Sequence, residues 1–170
     1  GVGSTINLVG LGASETTRDK LLEITQESWY ITSSVKECKI RNAIIEMGSD
    51  SRLSVDCPLN LKFTTITAKE GSGNNHRGVT TYGQPGVFII SSKFENALRG
   101  MWAINCYGGN PVSISGTTFQ DCKKGLITED RSAKLTNVRF LFNDIGWEAI
   151  GMSAGCEVRD VECTSNDKGI

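Results

Sequence analysis

Residues 112–147 read VSISGTTFQDCKKGLITEDRSAKLTNVRFLFNDIGW and hold one pattern twice. An aliphatic residue is followed five places later by phenylalanine: Ile114 by Phe119, and Leu135 by Phe140. Six places after each phenylalanine stands a glycine followed by an apolar residue, Gly125-Leu126 and Gly146-Trp147. The pattern continues on both sides. Ile89, Phe94 and Gly100-Met101 form the preceding copy, and Val158, Cys163 and Gly169-Ile170 the following one. The anchors Phe94, Phe119, Phe140 and Cys163 are 25, 21 and 23 residues apart. Periods of roughly 20–50 residues mark stacked units, none of which can bury its apolar face alone.

Leucine-rich repeats share this period, but their leucine ladder is missing. Each unit instead holds short β-prone runs, such as Val87-Phe88-Ile89-Ile90 and Leu135-Thr136-Asn137-Val138, broken by Gly, Asn, Asp and Ser. No stretch of 94–170 has helical periodicity. Short parallel strands with turn-forming corners make a parallel β-helix, each turn pairing with the next. The pattern therefore predicts an all-β, right-handed parallel β-helix of six or seven turns. The anchors stack inside, and the repeated glycine marks a sharp backbone bend.

Upstream the pattern is weaker. Val35 and Ile40 repeat the five-residue step, and Phe63 follows Ile40 by 23 residues, so Ile40 and Phe63 are the expected anchors. Phe63 to Phe94 is 31 residues, and the excess is read as an inserted loop over 70–86. Thr5–Val9, Leu21–Ile24 and Trp29–Thr32 read as strands, and Ser14 to Leu22 as a short helical turn. The expectation is a single domain over 1–170. The last repeat stops midway, which points to a fragment of a longer helix or to an end covered by another chain.

Composition narrows the partners. Lys plus Arg is 18 against 19 for Asp plus Glu, a net charge of −1, so no basic excess suits nucleic acid. No 18-residue apolar run suggests membrane insertion. Six cysteines without a Cys-x-x-Cys pair read as free, buried thiols rather than a metal site, and no cofactor is expected.

Glycoside hydrolysis needs two carboxylates about 5–9.5 Å apart. Asp144 and Asp167 each lie four residues after an anchor and should stack one turn apart, with Lys123 one turn before and Glu148 close in sequence. They are the candidate catalytic acid and base, although aspartate is also an ordinary turn residue. The one histidine, His76, sits beside Arg77 in the expected loop, where the pair would meet an acidic sugar. Exposed aromatics stack on sugar rings. The candidates are Trp29, Tyr30, Tyr82, Trp102 and Tyr107. Trp29 and Tyr30 are adjacent, so one should face in and one out, whereas Trp147 falls in a core position.

The Phe-x5-Gly-apolar repeat, with the entry Ser4-Thr5-Ile6-Asn7-Leu8-Val9-Gly10-Leu11-Gly12, resembles the pectate-lyase-like right-handed β-helix superfamily. Within it the chain is most similar in feel to phage tailspike and tail-fibre proteins. The resemblance implies a virion-associated or extracellular homotrimer that binds, and in some members degrades, host surface polysaccharide. It equally covers secreted polysaccharide lyases, hydrolases and epimerases, and non-catalytic scaffolds or adhesins.

Overall fold

A computed structural model describes residues 5–9, 19–24, 28–82, 86–104, 111–130, 132–151 and 155–169. Tyr107, Cys106, Ile170 and the 14–18 part of the expected helical turn lie outside them. The described residues form strands and no helix, and residues 19–22 belong to a strand rather than to a helical turn.

All the strand pairs are parallel, and they line up as three faces of a β-solenoid. The first two faces are continuous along long strands: β4 (Glu37–Met47), β6 (Leu59–Ala68), β14 (Ala133–Leu141) and β16 (Glu157–Thr164) each run across both. Elsewhere two short strands replace one long one. These are β1 (Thr5–Val9) with β2 (Asp19–Ile24), β8 (Val87–Ile90) with β9 (Lys93–Glu95), and β11 (Val112–Ser115) with β12 (Thr118–Gln120). The third face holds β3 (Ser28–Ile31), β5 (Arg52–Val55), β7 (Val79–Tyr82), β10 (Arg99–Ile104), β13 (Lys124–Glu129) and β15 (Ile145–Ile150). The coil makes about five turns, where the sequence pattern suggested six or seven.

The five-residue step has a geometric cause. Inward residues of a regular strand are an even number apart, so five requires one extra residue. That residue occupies the left-handed region two places after each aliphatic: Asn42, Phe63, Ser91, Gly116, Asn137 and Asp160 have φ of 46–57°. Asn, Asp and Gly accept this conformation most readily. The chain bends there, and the inward phase resets from Ile40 to Ala43 to Ile45.

Register corrects the upstream anchors. Ile40 and Leu61 belong to the aliphatic column with Ile89, Ile114 and Leu135. The anchor column is Ile45, Ile66, Phe94, Phe119, Phe140 and Cys163. Phe63 is a bend residue instead. Its φ of 50° turns it out of the core. The rings of Phe94 and Phe119 stack 4.9 Å apart, and those of Phe119 and Phe140 5.3 Å apart. Such stacking contributes about 0.5–1.5 kcal/mol per pair beyond area burial.

The repeated glycine is not a bend. Gly100, Gly125 and Gly146 lack positive φ and stand on the third face, each directly under the next. A Cβ at Gly125 would lie 2.6 Å from the Gly146 carbonyl oxygen and 3.0–3.2 Å from Phe119 and Phe140. Glycine recurs there because the backbone packs onto the phenylalanine column without room for a side chain. Gly78, next to Gly100 in the stack, is a further member of the row. The expected 70–86 loop therefore contains a strand, β7, whose β-branched Val79-Thr80-Thr81 continues the third face.

Candidate functional site

A second row of left-handed residues lies two places after the anchors: Asn96, Asp121, Phe142 and Ser165, with φ of 51–55°. Three of the four are small and polar, as such a corner requires. Phe142 is not. A bulky side chain in this region is uncommon and costs roughly 1–2 kcal/mol. Its ring is also 55% exposed, so the strain is not offset by burial in the core.

Phe142 borders a groove of about 470 Å³ on this corner. Asn74 and Asn75 of the loop before β7, Asp121, Lys123 and Asp144 also line it, with the buried Cys122 at its floor. The floor is rigid. Asn143 Oδ1 accepts from the Cys122 amide at 3.0 Å, and its Nδ2 donates to the Phe119 carbonyl at 3.0 Å. The Asn143 amide in turn donates to Asn166 Oδ1 at 2.9 Å, so an asparagine ladder clamps successive turns. Among the described residues, no ion pair engages Lys123, Asp121 or Asp144. Asp121 accepts one hydrogen bond from Gln120, at 2.8 Å. These groups are left to meet solvent or ligand. Burial pushes the Cys122 thiol up to about 12, which keeps it protonated and unreactive.

The column of Lys123, Asp144 and Asp167 forms as the spacing implied. Asp167 donates its amide to the Asn143 carbonyl at 3.1 Å, and Lys168 to that of Asp144 at 2.8 Å, one turn apart. Lys123 and Asp144 line the groove, whereas Asp167 does not. Glu148 is not part of the cluster. It stands on the outer side of β15, bound to Lys124 Nζ at 2.7 Å.

His76 corrects the expectation of a sugar-facing loop. It is 1% exposed. The Gly78 amide donates to Nδ1 at 3.2 Å, so Nε2 carries the proton and donates to the Glu95 carbonyl at 3.3 Å. Burial lowers its pKa, and the carbonyl contacts offset this in part. The ring ties the loop to the body, leaving Asn74 and Asn75 to face the groove. Arg77 is half-buried behind it, its amide donating to the Ser51 carbonyl at 2.8 Å.

The described aromatic candidates, Trp29, Tyr30, Tyr82 and Trp102, do not line the groove. Trp102 lies on the outer side of the third face, under Arg99 at 4.3 Å, and its Nε1 donates to Glu129 Oε2 at 3.1 Å. Tyr82 is half-buried in a neighbouring row. Trp29 and Tyr30 are both exposed, at 44% and 58%. Trp29 is the register partner of Leu53, but β3 is the edge strand of its face among the described residues. Trp147 is buried, with Nε1 donating to Thr128 Oγ1 at 3.0 Å.

Sequence reasoning found Lys123 and Asp144 but missed Phe142, Asp121, Asn74 and Asn75. The signal for Phe142 was a bulky residue in a position that other turns fill with Asn, Asp or Ser. Compared with known proteins, the chain matches no family model, no curated protein and no solved structure.

Proposed function

We propose that the chain is a glycan-binding β-helix whose corner groove takes a saccharide ring against Phe142. One observation carries the reading: an aromatic ring is held exposed, at a backbone cost, beside polar groups that no ion pair engages among the described residues. An apolar platform ringed by carboxylate, amide and ammonium groups is the composition that sugar recognition needs. By the resemblance of its repeats, the chain belongs with the pectate-lyase-like solenoids. A virion spike that recognises host surface polysaccharide as a trimer is the setting that best suits a rigid rod with free thiols.

A glycan array tests the groove. Wild type should retain a defined set of glycans, and Phe142→Ala should lose them while keeping the fold. Retention of the same glycans by the variant overturns the reading. Sedimentation tests the spike setting, where a trimer is expected and a monomer counts against it.

A second reading is hydrolysis, favoured by two carboxylates, Asp121 and Asp144, lining one groove on successive turns. One would act as general acid and the other as base or nucleophile. Reducing-end release from a bound glycan by wild type, abolished in both Asp121→Asn and Asp144→Asn, is the expected result. Binding without release limits the groove to recognition.

A further inference from the structure

His76 occupies a repeated place in the coil. The Leu98 amide donates to the His76 carbonyl at 2.9 Å, as Lys123 does to Ala97 at 2.8 Å and Asp144 to Cys122 at 3.2 Å. His76 therefore heads the buried column of Ala97, Cys122 and Asn143, of which Ala97 and Cys122 line the groove. The two residues before it, Asn74 and Asn75, are exposed and line the groove from the loop.

The ring is seated only while neutral. Nδ1 accepts from the Gly78 amide at 3.2 Å and Nε2 donates to the Glu95 carbonyl at 3.3 Å, so both partners are satisfied. A second proton can go only on Nδ1, where it would point at the Gly78 N–H. Gly78 has no room to retreat. Its carbonyl accepts from the Leu53 amide at 2.8 Å, Val79 pairs with both Leu53 and Met101, and a Cβ on Gly78 would run into the Gly100 carbonyl. The ring is 1% exposed, so the added charge would also be cut off from solvent. What can move is the exposed stretch before it, beyond Ser72, whose Oγ donates to the Met47 carbonyl at 3.2 Å.

We propose that His76 is a proton-operated latch on the Phe142 groove. Protonation at Nδ1 expels the ring and swings Asn74 and Asn75 away from the groove, so ligand is held at neutral pH and released in acid. This rests on the groove being the binding site. Burial outweighs the Glu95 and Asn96 carbonyls and lowers the pKa of the seated ring, whereas a released ring returns to about 6.5. The seated state is favoured above that value. Below it the released population grows about tenfold per pH unit, until the seated value is reached. The charged and titratable side chains around this corner are Arg77, Arg52 and Arg99 at the starts of β5 and β10, and Glu95, held by Lys93. Cys122, pushed up to about 12 and so neutral, and Asp121, Lys123 and Asp144 belong to the groove.

NMR titration of the whole chain from pH 7.5 to pH 4 reads the latch without a ligand. The imidazole nitrogens report His76, and the amides of Asn74, Asn75 and Gly78 should shift with the same midpoint while Ser113 on the first face stays still. His76→Gln keeps an acceptor and a donor but does not titrate. Its loop should lose the His76 step and keep only that of the carboxylates Asp121 and Asp144, near pH 4. Dithiodipyridine, which attacks thiols in mild acid, gives a second readout in wild type. Modification of Cys122 relative to the exposed Cys163 should rise at least about tenfold from pH 7.5 to pH 5.

A ring still neutral at pH 4, or loop amides that ignore its protonation, overturns the latch. So does a Ser113 signal that moves with the same midpoint, since that marks global unfolding. An unchanged ratio of Cys122 to Cys163 overturns the opening of the groove. If His76→Gln does not fold, the wild-type titration decides. Neither readout uses a glycan, so failure of saccharide binding leaves the latch standing, and failure of the latch leaves saccharide binding untouched.

Discussion

Gly125 packs so closely beneath Gly146 that a Cβ on the former would lie 2.6 Å from the carbonyl oxygen of the latter. The same Cβ would press on Phe119 and Phe140 at 3.0–3.2 Å. Gly125→Ala must therefore push backbone against a stacked ring column. A loss of about 1–3 kcal/mol is expected from overpacking, read as a lower urea midpoint. The control is Gly73→Ala, which meets nothing within 4 Å and tests only the strain of its φ of 66°.

Phe142 sets recognition against stability. Phe142→Gly relieves the left-handed backbone and should stabilise the fold by about 1 kcal/mol, while removing groove binding. Thermal denaturation together with glycan binding separates the two effects. A variant that loses stability would show that the exposed ring is a packing element instead.

His76 is the only histidine, so it dominates titration near neutral pH. Its folded pKa is lowered by burial, so the unfolded chain binds its proton more readily. Stability is then fully present above the unfolded pKa of about 6.5, and is lost as pH falls towards the folded value. His76→Gln should flatten this part of the profile. Tm measured from pH 7.5 down to pH 5 in both proteins gives the comparison.

Thiol reactivity should follow position in the coil. Burial pushes Cys38 and Cys122 up to about 12, whereas Cys163 is exposed. Iodoacetamide on the native protein should label Cys163 and spare Cys38 and Cys122 until denaturant is added, as read by peptide mass spectrometry. Labelling of Cys122 before unfolding would show that the groove floor opens.

The five described cysteines are free, as their spacing suggested, but only Cys38, Cys57 and Cys122 are buried; Cys156 is partly exposed, and Cys163 is exposed although it does continue the phenylalanine column. Repetition carried the fold. A side chain recurring at a fixed interval reports that each copy faces the same neighbours, and Phe94, Phe119 and Phe140 stack accordingly. The upstream anchors slipped because Ile45 and Ile66 are the same shape as many other aliphatic residues, so their column was hidden without an aromatic mark.

What the sequence determined by itself was the period, and hence a parallel coil with a stacked core. Period is a local property, written in every turn by the bend residue and the two inward residues that flank it. The groove was different. Phe142, Asp121 and Asn74 come from separate turns and a loop, and they meet only because coiling places residues more than 20 positions apart side by side. Tertiary structure likewise turned His76 inward and set its ring against the Glu95 carbonyl. Burial and lateral neighbours depend on the whole coil, so no single stretch of chain records them.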